Sequence, residues 1–344
     1  MYMKRVGVIR GDLNNRTKNS LENGSRVISY FSLEKMRDSY KLVDIFIDRG
    51  EQWYLNGVLT DLDKIAQQID VAINTIYGEF GEDGKIQQIL DQLDIPYVGS
   101  DSVSSALSYD KNTTKIALSN LKIRNPRHLL FPAYFRDLDS SQNESEIREQ
   151  KKEYATNKAR DVWAKLSPPW IIKPLTGGSS LGVSICNSIE DLVQAFLSGV
   201  EADSSLIAEE YIKGQEGSIV SINNFRGQDV YTFPPAQIII PKDKAFCDSE
   251  LKNSGKMKIV CPGNFPTGQS KEIEKIAKQI HKELNLRHYS KIDFIINRNG
   301  IYIIEINTIP EYQDNSVLNN SLLSVGSNMV EFLIHSIDMA LAKD

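Results

Sequence analysis

Hydrophobic and polar residues follow two different rhythms along the N-terminal part of the chain. Short apolar runs rich in β-branched residues occupy residues 6–9, 41–48 and 71–76, and such runs are typical of strands. Over residues 20–35 and 86–93, apolar residues instead recur every three or four positions, as on the buried face of a helix. Strands that alternate with helices predict a parallel α/β sheet.

Two polar segments follow predicted strands of this sheet. Ligands of parallel sheets bind at the carboxyl ends of the strands, and residues 11–16 and 77–84 fall there. Residues 77–84 are rich in glycine and acid, which is also consistent with an ordinary turn before a solvated helix start. Residues 95–100 predict a further short strand and a turn.

The second half of the chain contains strands that follow one another directly. Successive antiparallel strands are predicted between residues 218 and 240. Two more, at residues 291–297 and 301–307, are joined by an Asn-Gly dipeptide, a strong hairpin signal. Residues 246–263 form a long, lysine-rich segment without periodicity, which is typical of a lid over an active site.

Helical patterns account for much of the remaining sequence. The highly polar residues 137–160 predict an exposed helix, which cannot continue through Pro168 and Pro169. Ser188 and Asp191 resemble a capping box at the start of another helix. The other predicted helices cover residues 101–121, 188–197, 271–284 and 329–342.

Composition limits the class of protein. The 344 residues exceed what one hydrophobic core usually supports, so we expect two or three domains. With 41% apolar residues, 25% charged residues and a net charge of −5, the chain is typical of a soluble globular protein rather than a nucleic-acid or membrane binder. The three cysteines and four histidines are scattered, and neither a membrane-spanning run nor a signal peptide is evident. We expect a cytoplasmic protein with reduced thiols, without a His-metal cluster or a Ser/His/Asp triad.

A loop of small residues in the middle of the chain is the first candidate binding site. An apolar run ends at Lys173, and Thr, Gly and Ser residues fill positions 176–180. Small residues let backbone N–H groups approach an anion, and a preceding lysine supplies the charge that a di- or triphosphate needs. The lysine precedes the glycines, so this is not a Walker A loop. A flexible surface hairpin remains the alternative.

Charged residues in apolar surroundings mark a second candidate. Glu209 and Glu210 fall in the predicted strand 206–212, where a buried carboxylate needs a partner. Nucleotide amino and hydroxyl groups are suitable partners, and a neighbouring lysine is the alternative. Lys111 and Lys115 lie one helical turn apart, which usually indicates a solvated face.

The C-terminal hairpin carries a candidate metal site. Asp293, Glu305 and Asn307 are the polar residues expected to converge among apolar neighbours, and Glu305 and Asn307 leave the same face of their strand. Two carboxylates and an amide oxygen suit Mg²⁺, which also takes water and phosphate oxygens. Separate pairing of the two acids with basic groups is the alternative.

Taken together, these motifs resemble the D-alanine–D-alanine ligases of the ATP-grasp superfamily, in the family's order and over nearly the whole chain. The matching segments are residues 77–84, 95–100, 109–111, 173–182, 209–216 and 305–310. The resemblance implies an ATP-grasp fold, α/β overall and α+β in its ATP-binding part. It implies a Rossmann-like parallel-sheet domain (1–105), followed by a small lid subdomain (106–213) and a C-terminal subdomain with the metal site and lid loop (214–344), which together clamp ATP.

The resemblance also implies an activity and the residues of the ATP site. The activity is ATP- and Mg²⁺-dependent formation of a dipeptide through an acylphosphate, for peptidoglycan precursor synthesis, in a cytoplasmic homodimer that acts on small amino acids. The implied ATP and metal residues are Lys111 and Lys173 at the α- and β-phosphates, Ser179, Ser180 and Gly182 in the glycine-rich lid, Glu209, Tyr211 and Ile212 at the adenine, Glu216 at the ribose, Lys252 at the γ-phosphate, and Asp293, Glu305 and Asn307 at a pair of Mg²⁺ or Mn²⁺ ions.

The positions implied to bind amino acids depart from the family. The departures are Arg16 for a glutamate that binds the first substrate's amine, Tyr77 for a histidine, Lys291 for the arginine at the oxyanion, Asn253 for a lid tyrosine, and Glu311 for a glycine facing the oxyanion. Glu82 and Ser316 are kept. The residues implied to take part in catalysis are Lys291, Lys252, Tyr77, Arg16 and Ser179.

Three hypotheses about function follow. The first is a D-alanine–D-alanine ligase-like enzyme, and the second is a ligase of the same chemistry with another carboxylate and amine. The third is a catalytically weak nucleotide-binding regulator or scaffold, against which the full metal set argues.

Overall fold

The computed structural model describes residues 3–13, 17–134, 144–178, 182–241 and 257–342. Within these ranges the strands form three sheets, and helices cover them. No helix in these ranges is both long enough and apolar enough to cross a bilayer.

The first sheet confirms the predicted parallel arrangement. Its strands are β1 (Lys4–Gly11), β2 (Tyr40–Ile47), β3 (Trp53–Leu55), β4 (Val58–Leu59), β5 (Val71–Asn74) and β6 (Tyr97–Val98), in the order β4-β3-β2-β1-β5-β6. Strands β2, β1, β5 and β6 are parallel, and the antiparallel β3 and β4 extend one edge. The intervening helices are α1 (Thr17–Tyr30), α2 (Glu34–Arg37), α3 (Leu62–Ala66) and α4 (Lys85–Gln92). The helix predicted over residues 20–35 is therefore interrupted after Tyr30.

The second sheet is antiparallel and follows in the chain. The elements of this part of the chain are α5 (Ser102–Tyr109), α6 (Lys111–Asn120), β7 (His128–Phe131), α7 (Glu144–Lys165), β8 (Trp170–Pro174), β9 (Ser184–Cys186), α8 (Ile189–Glu201) and β10 (Leu206–Glu210). The four strands pair in the order β7-β10-β8-β9.

Local side chains explain where the helices of this region begin. The helix predicted over residues 101–121 is broken at Asp110, whose carboxylate accepts a hydrogen bond (2.7 Å) from the N–H of Thr113 and caps α6. The capping box at Ser188 is confirmed. Helix α7 is less exposed than predicted, because Ala155, Ala159 and Val162 form a buried stripe against the second sheet.

The third sheet is built around the long strand β11. The elements are β11 (Gln215–Phe225), β12 (Gln228–Thr232), β13 (Ala236–Ile239), β14 (Lys258–Val260), α9 (Thr267–Glu283), β15 (Tyr289–Asn297), β16 (Gly300–Asn307), α10 (Val317–Ser324) and α11 (Met329–Leu341). The order is β14-β13-β11-β15-β16, and β12 also pairs with β11. The successive antiparallel strands predicted between residues 218 and 240 are confirmed: β12 and β13 both run antiparallel to β11, which pairs with β12 at one end and with β13 at the other.

Two further predictions for this region have different outcomes. The hairpin of β15 and β16 is confirmed, with Asn297 opposite Gly300. The loop predicted over residues 246–263 is wrong at its end, because β14 pairs with β13 there. Residues 242–256, which make up most of the predicted lid, lie outside the described residues.

Three histidines that are scattered in the sequence converge on Asn223. His281 Nε2 lies 3.0 Å from the side-chain oxygen of Asn223, which also accepts a hydrogen bond (2.6 Å) from the N–H of His288. His335 Nε2 lies 2.8 Å from the carbonyl oxygen of Asn223. His288 Nδ1 accepts a hydrogen bond (2.9 Å) from Gly99 N–H, so this nitrogen is unprotonated. Burial lowers the pKa of both His281 and His288 to about 4.

Candidate active site

Residues of the second and third sheets, together with α1 and the loop after β5, line one cavity of about 770 Å³. Most of the site residues implied by the resemblance line it: Tyr77, Glu82, Lys111, Lys173, Glu209, Tyr211, Ile212, Glu216, Lys291, Asp293, Glu305, Asn307, Glu311 and Ser316. Gly182 lies outside the lining. Five further implied residues lie outside the described residues: Arg16, Ser179, Ser180, Lys252 and Asn253.

A buried charge cluster forms one wall of the cavity. Lys173 on β8 lies opposite Ile207 on β10, so Glu209, two residues further along β10, points to the same face as Lys173. Oε1 of Glu209 lies 2.8 Å from Lys173 Nζ and 3.0 Å from Lys115 Nζ. Lysine pairing, the alternative considered for Glu209, is therefore present in this structure.

The environment of Lys115 contradicts the solvated face suggested by its spacing from Lys111. Its side chain is 1% exposed and reaches Glu209 on β10. Burial lowers the pKa of Lys115 and outweighs the opposing effect of Glu209. Burial raises the pKa of Glu209, but the two lysines lower it more, so the net shift is downward and the carboxylate is ionised.

The small-residue loop lies next to this cluster. Lys111, the first residue of α6, donates a hydrogen bond from Nζ to the carbonyl oxygen of Gly177. Gly182 has φ +71°, and a Cβ there would lie 2.9 Å from Pro174 Cγ. Glycine at this position therefore allows both the backbone conformation and the close approach of the loop to β8.

The predicted oxygen set assembles on one face of the C-terminal hairpin. In the strand register Asp293 lies opposite Glu305, and Lys291 lies opposite Asn307, so all four side chains share a face. Asn307 donates a hydrogen bond (3.4 Å) to Oδ2 of Asp293, and Ser218 on β11 donates one to Oδ1. Across the described ranges, no three His, Cys, Asp or Glu side chains group closely enough to hold a metal. A cation here would thus rely on the Asn307 amide and on oxygens from outside the protein.

Lys291 connects the oxygen set to the loop that follows β16. Its Nζ lies 3.3 Å from Oδ2 of Asp293 and 3.7 Å from Oε1 of Glu311. Burial lowers the pKa of Lys291, but these two carboxylates raise it more, so the net pKa is well above the ordinary lysine value. The ammonium is therefore charged at neutral pH.

Residues from the N-terminal part of the chain hold that loop in place. Tyr77, which follows β5, donates a hydrogen bond (2.8 Å) from its hydroxyl to the carbonyl oxygen of Pro310. Asn23 of α1 donates to the same carbonyl (3.2 Å) and accepts a hydrogen bond (2.9 Å) from the N–H of Tyr312. Ser316 ends the loop by accepting a hydrogen bond (3.1 Å) from Asn319 N–H at the start of α10.

The opposite end of the cavity lies at the junction of β10 and β11. Burial and the nearby Glu216 raise the pKa of the Tyr211 hydroxyl. Glu210 accepts a hydrogen bond (3.0 Å) from the N–H of Arg127. Glu82, which lines the cavity from the loop after β5, accepts one (2.6 Å) from Gly78 N–H.

Sequence reasoning did not identify Lys115, Ser218 or Asn23 as site residues. The signal for Asn23 was present, since Ser20 and Asn23 are polar residues three positions apart on the apolar face of α1, and both are buried. Such a pair on a core-facing stripe needs hydrogen-bond partners. Ser218 could have been found only from the pairing of β11 with β15, which places it opposite Asp293.

Comparison with known proteins identifies the same architecture over the same span. Family profiles for the D-ala D-ala ligase C-terminus and N-terminus match residues 138–337 and 56–100. A D-alanine–D-alanine ligase from Clostridium beijerinckii is 30% identical over 335 residues, covering 96% of this chain and 97% of that protein. A second, from Clostridium perfringens, is 29% identical over 338 residues and covers 98% of each chain.

Solved structures agree on the fold. The D-alanyl-alanine synthetase A of Vibrio cholerae superposes with a TM-score of 0.81 at 23% identity, covering 100% of both chains. A Bacillus anthracis D-alanine–D-alanine ligase complexed with ATP gives a TM-score of 0.73 at 24% identity, covering 99% of this chain and 98% of the other. The predicted ATP-grasp fold is confirmed, and the chain belongs to the D-alanine–D-alanine ligase family.

Proposed function

We propose that this protein is an ATP-dependent ligase that phosphorylates the carboxylate of one amino acid and joins it to the amine of a second. D-alanine is the first candidate for both. The observation that carries the proposal is the single cavity, in which buried lysines, a hard-oxygen set and a polar loop lie together. Such a cavity can hold a triphosphate and two small reactants in line, and alignment in a closed site supplies much of the catalysis of this type of reaction.

The nucleotide lies, in this proposal, between the second and third sheets. Lys111 and Lys173 neutralise the α- and β-phosphates, and the loop ending at Gly182 covers them. Glu209, Tyr211 and Ile212 frame the adenine, and Glu216 binds the ribose. Ser179, Ser180 and Lys252 complete the phosphate site as the sequence analysis expects.

The residues at the hairpin fit magnesium. Asp293 and Glu305 face each other across the strands, and Asn307 adds an amide oxygen on the same face, which is a donor set of the hard kind that Mg²⁺ prefers. Magnesium bound there would neutralise charge on the transferring phosphoryl group. The hydrogen bond from Asn307 to Asp293 shows that these two groups already lie within reach of one another.

In this proposal, Lys291 stabilises the negative charge that develops on the acyl carbonyl oxygen. Its ammonium sits between the oxygen set and the loop after β16, and a fixed cation in a buried site stabilises an oxyanion without reorganising. An ammonium lacks the two-pronged geometry of a guanidinium, and Asp293 and Glu311 are carboxylates that contact it.

The amino acids bind, in this proposal, between Lys291 and the loop. Tyr77, Glu82, Glu311 and Ser316 line that end, and Arg16 and Asn253 are assigned to the first substrate and the lid. The second candidate function is a ligase of the same chemistry with a different amino-acid pair. It is favoured by the presence of a glutamate side chain, Glu311, beside Lys291 in the cavity.

The test is ATP-dependent release of phosphate with a panel of D- and L-amino acids and dipeptides, with the mass of each product measured. The Glu305→Gln variant should lower release by at least about 10²-fold, because loss of one carboxylate weakens the cation site. The matched control is Glu283→Gln, an exposed glutamate at the end of α9, which should release phosphate at the wild-type rate. ATP binding without phosphate release from any panel member would instead support the regulator or scaffold hypothesis.

The proposal also covers the oligomeric state and the cellular location of the protein. We expect a homodimer in the cytoplasm, and size-exclusion chromatography with light scattering measures the mass of the particle directly.

A further inference from the structure

Glu311 occupies a distinct place in the cavity. It directly follows Pro310 after β16, and its side chain is 42% exposed. Oε1 lies 3.7 Å from Lys291 Nζ, whose other carboxylate neighbour is Asp293 at 3.3 Å. Lys291 therefore contacts both Glu311 and the oxygen set. Glu311 and the oxygen set line the same cavity.

The backbone on both sides of Glu311 is fixed from outside its own loop. The side chain of Asn23, 0% exposed in α1, hydrogen bonds to the carbonyl of Pro310 and the N–H of Tyr312, the residues before and after Glu311. Tyr77 adds a second hydrogen bond to Pro310. A glutamate on an ordinary surface loop has no such support, so this carboxylate is held at a defined position at the edge of the cavity.

Among the residues that the structure describes, charged and titratable groups that interact with Glu311 include Lys291 on β15, Tyr77 after β5 and Tyr289 at the start of β15. Burial raises the pKa of both tyrosines, and the negative charge of Glu311 raises each further, so both hydroxyls are neutral at neutral pH. Lys291 Nζ lies 3.7 Å from Oε1 of Glu311. A glutamate side chain, whose carboxylate oxygens are acceptors, therefore lies next to a lysine ammonium.

The second half of the proposed reaction needs such an acceptor. The amino group of a free amino acid is an ammonium at neutral pH, and its nitrogen has no lone pair until it loses one proton. We propose that Glu311 receives the ammonium of the second amino acid and accepts this proton. The inference rests on the proposed function and assigns Glu311 as a catalytic residue of the amine-transfer step.

Amine transfer moves two protons, forms one bond and breaks another. The ammonium gives one proton to Glu311, and the neutral nitrogen then forms the C–N bond to the acyl carbon. The C–O bond to the phosphoryl group breaks, the leaving phosphate keeps the electron pair, and it takes the second proton of the nitrogen. Acylphosphate and ammonium become amide, hydrogen phosphate and one proton. Glu311 releases that proton to water, to which its half-exposed side chain has access.

The loop after Glu311 supplies the rest of a site for an amino acid. Gln313, Asn315 and Ser316 line the same cavity, and Ser316 is the N-cap of α10, whose N-terminal N–H groups favour a carboxylate. The carboxylate and ammonium of one amino acid therefore have complementary groups within six positions of sequence.

The experiment separates the two half-reactions in the full-length protein. Hydroxylamine is largely uncharged at neutral pH, so it can trap an acylphosphate as a hydroxamate without a base. Wild type, Glu311→Gln and Glu311→Asp are assayed with ATP, magnesium and D-alanine, followed by the rest of the amino-acid panel. Hydroxamate and dipeptide formation are measured separately. Glu79→Gln, at an exposed glutamate outside the cavity lining, is the matched control, and thermal unfolding with ATP binding verifies folding.

For Glu311→Gln we expect hydroxamate formation close to wild type and a fall of about 10²–10⁴-fold in kcat for dipeptide formation, the usual contribution of a general base. Glu311→Asp, which keeps the carboxylate, should recover part of the rate. An unchanged dipeptide rate, or an equal fall in both half-reactions, overturns the assignment. Absence of hydroxamate and phosphate release in wild type with every panel member overturns the proposed function itself.

Discussion

Replacing Lys115 by methionine tests the buried charge cluster, because it removes one of the two cations that neutralise Glu209. At about 3 Å and an effective dielectric constant of about 20, two unit charges attract by roughly 5 kcal/mol. Two effects offset part of this loss. The buried ammonium no longer has to be desolvated, which recovers several kcal/mol, and its repulsion with Lys173 disappears. We expect a net decrease of about 1–3 kcal/mol in the free energy of unfolding.

Replacing Glu209 itself should lower the free energy of unfolding more than Lys115→Met does. Glu209→Gln leaves two buried ammonium groups, Lys115 and Lys173, on the same amide oxygen, and an uncompensated buried charge costs about 3–5 kcal/mol. Combining Lys115→Met with Glu209→Gln removes one of those two cations. The double variant should therefore be less destabilised than the sum of the singles, by about 1 kcal/mol or more.

Urea unfolding measures all three effects as shifts of the midpoint at constant slope. The control is Lys64→Met, because Lys64 is 70% exposed in a surface pair with Asp61 and should change stability by no more than about 0.5 kcal/mol. The reasoning fails if Lys115→Met behaves like Lys64→Met, or if the double variant equals the sum of the singles.

Two other predictions concern the fold. The pKa values of His281 and His288 are lowered to about 4, so the unfolded chain binds protons that the folded protein does not between about pH 6.5 and pH 4. Stability should therefore be full above about pH 6.5 and fall by up to about 3 kcal/mol per histidine toward pH 4, and a urea midpoint that is equal at about pH 7 and pH 5 would contradict this. Gly182→Ala should cost about 1–2 kcal/mol, because alanine disfavours φ +71° and its Cβ meets Pro174, whereas Gly268→Ala, with open space at its Cβ, should not destabilise the protein and serves as its control.

The oxygen set shows which features are predictable from sequence. Glu305 and Asn307 are two positions apart in a run whose apolar pattern and turn define a hairpin, so strand geometry alone places them on one face. Their partner Asp293 follows from the pairing of the same two strands. Local periodicity and a short turn are therefore enough to predict this part of the site. Periodicity alone is enough to predict that the first sheet is parallel.

Tertiary packing determines what periodicity missed. Lys115 has the spacing of a solvated lysine, and only the position of β10 beside α6 makes it a buried partner of Glu209. Likewise, the sequence predicts the strands β11, β12 and β13 but not their pairing, in which β12 and β13 both lie against the long strand β11. Three histidines contact Asn223 although each lies more than fifty residues from it in sequence. No local sequence pattern predicts contacts over such separations.

The side-chain amide of Asn23 affects whether the C-terminal part of the protein can act as a separate fragment. It joins two residues that lie near position 311 to a helix near the start of the chain. A fragment limited to residues 138–337, the span of the larger family match, would contain the oxygen set and both ends of the hairpin. It would lack the group that satisfies Pro310 and Tyr312, and therefore a recombinant C-terminal half should regain amine transfer only when the N-terminal half is supplied as a separate polypeptide.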